Sequence, residues 1–332
     1  MKRFLISAVV LLISLSQSSS QKKHIAFSSD ATKNDKQQIF IMDEDGDGVM
    51  QVCFMNLDCY GPNFSPDGRK IVFSATNRVS DYLYMVDLDD TATFHFPLFV
   101  DGGIDPHFSP DGKSIIYRSE RDQYNAVYIM DLETQLQFPV SDGSLSTHAE
   151  FSHDGSKVVY SSSITQNFDL AILNLNDTTE DAQQTIVATK DAELYGTFSP
   201  DGLKIAFASF DINYRGTLKI CDDKGKNVKA ISSGGSSYNP KFSPNGKYLA
   251  YVSNKTGDFE IYICSSDGLE TKQLTSKNGN TVEYEWLPDS KRIVFDSQGD
   301  GVSSVWIINV ENGDSQNLTG DKANNITPTV QQ

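Results

Sequence analysis

Phe64–Ser65–Pro66–Asp67–Gly68 returns along the chain as Phe108–Ser109–Pro110–Asp111–Gly112, Phe151–Ser152–His153–Asp154–Gly155, Phe198–Ser199–Pro200–Asp201–Gly202 and Phe242–Ser243–Pro244–Asn245–Gly246. It then decays to Trp286–Leu287–Pro288–Asp289–Ser290. Successive copies begin 44, 43, 47, 44 and 44 residues apart. A period of about 40–45 residues matches a four-stranded propeller blade.

Each copy has the same four parts. A short extended stretch such as Tyr238–Asn239–Pro240–Lys241 precedes the Phe. Pro-Asp-Gly supplies a tight turn, with Pro fixing φ and Gly accepting φ > 0. A β-rich run follows, as in Lys70–Ile71–Val72–Phe73–Ser74 and Ser114–Ile115–Ile116–Tyr117–Arg118. A third run, for example Ile261–Tyr262–Ile263–Cys264, leads to the acidic turn Asp267–Gly268, and Lys272–Gln273–Leu274–Thr275 is a typical fourth. The second run occurs seven times, from Ile25, Ile71, Ile115, Val158, Ile205, Leu249 and Ile293. The third also occurs seven times, around Phe40, Tyr84, Tyr128, Ala171, Lys219, Tyr262 and Trp306. The first has six full copies, and Ile326–Thr327–Pro328–Thr329–Val330 aligns with Ile104–Asp105–Pro106–His107–Phe108 to supply the seventh. The expected fold is all-β: a seven-bladed β-propeller of four-stranded blades. The C-terminal strand pairs with the N-terminal blade and closes the ring, so no sheet edge of an open array is left bare.

Outside the repeat, Lys2 and Arg3 precede an apolar stretch from Phe4 to Leu15 and the small polar run Ser16–Ser20. Twelve residues are too few for a bilayer core that needs about 20, so this pattern predicts a signal peptide over residues 1–20 and a propeller over 21–332. An exported protein, periplasmic or secreted, without stable membrane insertion is expected. The chain has 28 Lys and Arg against 44 Asp and Glu, a net charge of −16. Such a surface repels phosphate backbones, so no nucleic-acid partner is expected. Much of this acidity lies in the Pro-Asp-Gly and Asp-x-Asp-Gly turns of the repeat itself.

Register in the repeat also absorbs several suggestive motifs. Asp43, Asp45 and Asp47 open a stretch resembling a calcium loop, but position 12 is Phe54, where a bidentate Glu is required. Asp45–Gly46 falls on Asp267–Gly268, the ordinary turn between third and fourth strands. These three carboxylates are retained as weak candidates for Ca²⁺; otherwise no cofactor is expected. Cys221 and Cys264 occupy equivalent slots in third strands and read as core residues. Cys53 and Cys59 flank a short connection between blades 1 and 2 and are a candidate disulfide in an oxidising compartment. The chain contains no Gly-x-Ser-x-Gly, phosphate-binding Gly-rich loop, Cys-x-x-Cys or His-Glu-x-x-His.

In a propeller the innermost strand of each blade borders the central channel. Residues just before the repeated Phe are therefore the candidate ligand contacts: Asp58, Tyr60, Asp105, His107, His148, Glu150, Glu193, Tyr195, Tyr238, Asn239 and Glu283. Variable carboxylates, Tyr and His on a constant frame are the pattern of a recognition surface. The expected role is a non-catalytic binding or scaffold module, a monomer that takes a protein or peptide, or a glycan, at its channel face.

The repeated Phe-Ser-Pro-Asp-Gly, followed by a β-rich run and an Asp-Gly turn, resembles the TolB-type propeller repeat (WD40-like, PD40) over essentially residues 24–330. The resemblance implies an exported propeller that binds a protein or peptide at its channel face. The family's namesake carries a small α/β domain ahead of six blades, and this chain departs from it on both points. The repeat is also similar to the propellers of prolyl-oligopeptidase-like peptidases, whose hydrolase domain does the chemistry, and of oligogalacturonate lyases. The latter implies the alternative reading, a metal-dependent polysaccharide lyase or hydrolase with a transition metal near His107, His148 and Glu150.

Overall fold

The computed structural model describes residues 24–32, 36–89, 95–98, 102–121, 125–141, 144–164, 167–276, 279–299, 301–320 and 322–332. The expected leader over residues 1–20 lies outside the described residues. The strands form seven four-stranded antiparallel sheets, the blades of a closed ring. The innermost strands are Asn325–Val330 in blade 1, Asp58–Phe64 in blade 2, Gly103–Phe108 in blade 3 and Ser146–Phe151 in blade 4. Ala192–Phe198, Ser237–Phe242 and Asn280–Trp286 serve blades 5, 6 and 7. All seven second strands and all seven third strands contain the residues expected from the repeat.

Ring closure is as expected. Asn325–Val330 pairs antiparallel with His24–Ser29, bringing Ile25 opposite Val330 and Ser29 opposite Asn325. The junction is reinforced by Asp30, whose carboxylate accepts from the Asn324 backbone and side-chain amides at 2.8 Å each.

The repeated motif is explained by one local device. The Ser65 hydroxyl donates to the Asp67 carboxylate at 2.6 Å and accepts from the Lys70 backbone amide at 2.9 Å, while Gly68, at φ 69°, donates back to the Ser65 carbonyl. Ser109 with Asp111, Ser152 with Asp154, Ser199 with Asp201 and Ser243 with Asn245 repeat it. These hydrogen bonds hold the Asp67, Asp111 and Asp201 carboxyls below the usual range and take Asp154 down to about 2. The turn carboxylates are thus committed to the fold.

Among the described residues, seven apolar clusters each span two neighbouring blades. Ala26, Ile39, Ile71 and Phe73 join blades 1 and 2, for example, and Ile25, Phe27, Leu287 and Val305 join blades 1 and 7. Cys221 and Cys264 are buried in two different clusters, consistent with core packing. Cys53 and Cys59 share one cluster, fully buried, with their sulfurs 3.1 Å apart. A thiol–disulfide oxidant is expected to join them with loss of two hydrogens, and burial then keeps small thiols from the bridge. Intact mass before and after reduction of the unfolded chain checks this. An oxidised preparation that still carries both thiols would contradict it.

Candidate functional site at the channel mouth

The inner strands of blades 1 to 6 are interrupted at the same place, and that of blade 7 one residue earlier. Opposite the second strand, two inner residues stand against one, so Tyr60 pairs with Ser74 but Asn63 with Val72, and the other blades show equivalent shifts. This is a β-bulge. The residue three before the repeated Phe position sits there in the left-handed region: Gly61, Asp105, His148, Tyr195, Asn239 and Thr327, with φ between 49° and 60°. The next residue needs no ladder donor, which accommodates Pro62, Pro106, Pro240 and Pro328. In blade 5 that slot is Gly196, where an added Cβ would lie 2.6 Å from Leu170 of the neighbouring blade. The bulge N–H is received next door: Asp105 donates to Ser74 Oγ at 3.2 Å and Thr327 to the Asp296 carboxylate at 3.3 Å.

Strand direction fixes which loops surround this level. The inner strands begin on the face that also carries the connections between second and third strands, as backbone bonds from Glu193 to Phe168 and from Thr281 to Phe259 show. The Pro-Asp-Gly turns lie on the opposite face.

The mouth has two parts. Across blades 4 to 6 runs an aromatic arc. His148 and Tyr195 have ring centroids 3.9 Å apart, Tyr195 and Tyr238 5.7 Å, and Tyr238 and Phe259 5.4 Å, with Phe210 6.3 Å from Tyr195. At its ends stand acidic groups. In blade 3, Asp105 is exposed and paired with Arg118 at 3.2 Å. In blade 7, Glu283 accepts from the Asn239 amide at 3.4 Å. Burial raises the Glu283 carboxyl, Lys241 opposes this, and Asp296, Asp105 and Glu285 add to it. Burial and Glu283 also raise the Tyr195 hydroxyl. Tyr238 is pushed up to about 12 by burial, Tyr195, Glu283 and Asp296.

Deeper in the shaft, the residue just before the repeated Phe is polar in every blade: Asn63, His107, Glu150, Thr197, Lys241, Glu285 and, before Val330, Thr329. Lys241 bonds Glu285 at 2.8 Å, and Thr197 donates to Glu150 at 2.8 Å. Burial alone would lower the Lys241 ammonium, but Glu285, Glu283 and Glu150 outweigh it and hold it above its ordinary value. Enclosure also lowers the His107 imidazole, with Lys241 adding to the effect. His107 and Glu150 remain open to water in the lumen although protein surrounds them.

Not all sequence-derived candidates join this site. Glu193 is fully buried between strands, accepting from Thr189 Oγ1 at 2.6 Å and Ser209 Oγ at 3.2 Å, so it is unavailable to a ligand. Asp58 is taken by Lys36 at 2.9 Å and the Gln37 amide. Tyr60 is half-buried and donates to Asp81 at 3.1 Å. Asp43, Asp45 and Asp47 form a hairpin turn, with the Asp43 amide bonded to the Asp47 carbonyl and the Asp47 amide to the Asp45 carboxylate. Among the described residues, no three His, Cys, Asp or Glu side chains are grouped as metal ligands, and His107, His148 and Glu150 are no exception. Arg118, Asp296, Phe210 and Phe259 are mouth residues that the sequence reading missed. Arg118 and Asp296 occupy a second-strand position that is Ser, Ala or Val in the other blades, and that misfit was a readable signal.

The shaft should have a pH signature. Burial pushes Glu150 up to about 7 from 4.5, so between these values the folded state holds the extra proton and stability falls as pH rises. Burial and Arg118 take His148 down to about 4 from 6.5, so there the unfolded chain is protonated first and stability falls as pH falls. The slopes oppose each other where the windows overlap. Glu150→Gln should expose the His148 slope and, with water in the lumen screening the effect, gain on the order of 1 kcal/mol over wild type above pH 7. Urea unfolding at a series of pH values checks this. Coincident profiles for the two proteins would contradict it.

A closed ring of seven antiparallel blades, with a polar shaft and an aromatic and acidic mouth, defines a channel-bearing β-propeller. The chain belongs to the TolB beta propeller domain (PD40) family, matching it over residues 2–183 and again over residues 172–332. An "Uncharacterized peptidase YuxL" of Bacillus subtilis (strain 168) is 31% identical over 104 residues, which are 29% of this chain and 15% of that protein. The similarity thus spans a small part of that relative's length. Among solved structures, TolB from Acinetobacter baumannii is similar with a TM-score of 0.59 at 20% identity, over 93% of this chain and 66% of that one. An oligogalacturonate lyase in complex with manganese has a TM-score of 0.65 at 18% identity, over 90% of this chain and 85% of that one. At these identities the likeness is one of fold. Among the described residues, no helix is long and apolar enough to cross a membrane.

Proposed function

We propose that the protein is an exported, non-catalytic binding module that recognises a protein or peptide partner, or a glycan, at the channel mouth. The observation that carries this reading is the repeated bulge. A residue bearing a side chain costs about 1–2 kcal/mol in left-handed backbone, yet five inner strands place such a residue there. Its identity changes from Asp105 to His148, Tyr195, Asn239 and Thr327 while the backbone stays the same. Retained strain with varied chemistry on a rigid frame is the mark of a recognition surface. Export rests on the composition of residues 1–20, and N-terminal sequencing of the mature protein should find a start near residue 21.

The reading is tested by capture from envelope or secreted extract with wild type and with Tyr195→Ala, Tyr238→Ala and Glu283→Ala. The variants should fold and lose a partner that wild type retains. Identical captured sets from all four proteins would overturn the site assignment.

A further inference from the structure

The aromatic arc and the carboxylates at its ends are in electrical contact. Glu283 acts on both Tyr195 and Tyr238, and Asp105, Asp296 and Glu285 act on Glu283. The nearby cations are already engaged, Arg118 with Asp105 and Lys241 with Glu285. Lys241 offsets the Glu283 charge from its pairing with Glu285, against like charge from Asp296, Asp105 and Glu285, and the Asn239 amide lies 3.4 Å from Glu283. On the same face, the loop tips of blades 4 and 5 project apolar side chains into water: Ile164 is 60% exposed, Ile212 93% and Tyr214 86%. A partner can therefore supply two things at the mouth, a cation paired directly with Glu283, since Lys241 is bonded to Glu285, and apolar surface over the arc.

We propose that the mouth takes an extended segment of a partner protein in which a Lys or Arg lies close in sequence to an aromatic or large aliphatic residue. The apolar side chain covers the His148–Tyr195–Tyr238 arc and the loop tips beside it. The cation sits between Glu283 and the Tyr238 face, combining an ion pair with a cation–π contact. An anionic polymer meets repulsion at the same place. A second copy of this chain, at net −16, is likewise disfavoured. This inference rests on the mouth being the binding site and adds the chemistry of what binds there.

The test is selection of a random peptide library displayed on phage against the full chain, in parallel with the Tyr195→Ala/Tyr238→Ala double variant. Peptides recovered on wild type and lost on the double variant should be enriched in Lys or Arg beside Trp, Tyr, Phe or Leu. A synthetic peptide from that pool should bind Glu283→Gln about tenfold more weakly, with circular dichroism confirming an intact ring, and should weaken further as salt is raised. Arc-dependent peptides without basic enrichment, or unchanged affinity for Glu283→Gln, overturn the proposed chemistry and leave the mouth as the site. Peptides that bind wild type and the double variant equally overturn the mouth reading itself.

Discussion

Removal of Asn325–Gln332 is expected to destabilise the ring by about 5 kcal/mol or more, close to the whole margin of an ordinary domain. The deleted strand supplies the inner edge of blade 1, from Ile25 opposite Val330 to Ser29 opposite Asn325. Val330 is 3% exposed and packs with Ile25, Phe27 and Leu287, so its loss opens the core between blades 1 and 7. One buried Val contributes roughly 1.5–3 kcal/mol, and each lost ladder bond about 1 kcal/mol more. The His24–Ser29 strand would also become a bare edge prone to pairing with other chains. Urea unfolding of the truncated chain should show a much lower midpoint or no cooperative transition. A synthetic peptide spanning residues 322–332 should restore the transition when added in trans. Equal midpoints for truncated and full-length chains would contradict closure by this strand.

The second large effect is expected at the mouth. Tyr195→Ala combined with Tyr238→Ala should weaken partner binding by about a hundredfold or more, because clustered aromatic anchors supply most of the energy of such interfaces. These rings contact His148, Phe210, Phe259 and each other, so their loss dismantles the whole arc. Both are half-buried, and the stability change should stay near 1–3 kcal/mol. Titration calorimetry separates the two effects when run beside thermal melts. Leu203→Ala, an exposed residue beside a Pro-Asp-Gly turn on the opposite face, should leave affinity unchanged. Equal losses for the two proteins would place binding elsewhere.

The fold was legible because the sequence states it repeatedly. Each Pro-Asp-Gly is a turn whose Ser and Asp bond one another, and the same spacing returns until the C-terminal Ile326–Val330 completes the count. The site was legible only in part. Placing candidates before each Phe found the arc and Glu283, but simple strand alternation could not sort them, because the bulge breaks alternation at the level that matters. Glu193 was misplaced for this reason: it turns away from the mouth toward Thr189 and Ser209. Nor does a single sequence announce that Asp105, His148 or Tyr195 adopts a backbone usually reserved for Gly; only Gly61 hints at it. Phe210 ends the second strand of blade 5 and Phe259 comes from the loop before the third strand of blade 6, positions that the repeat leaves free, so their arrival at the mouth is a product of ring geometry.

Hydrogen exchange of the full chain, alone and with a peptide selected on it, locates the bound segment on the ring. Protection is expected around Asp105, His148, Tyr195, Asn239 and Glu283, on the inner strands of blades 3 to 7. Protection confined to the opposite face, for instance at the cleft of about 350 Å³ between Ser199–Asp201 and Pro244–Gly246, would contradict binding at the channel mouth.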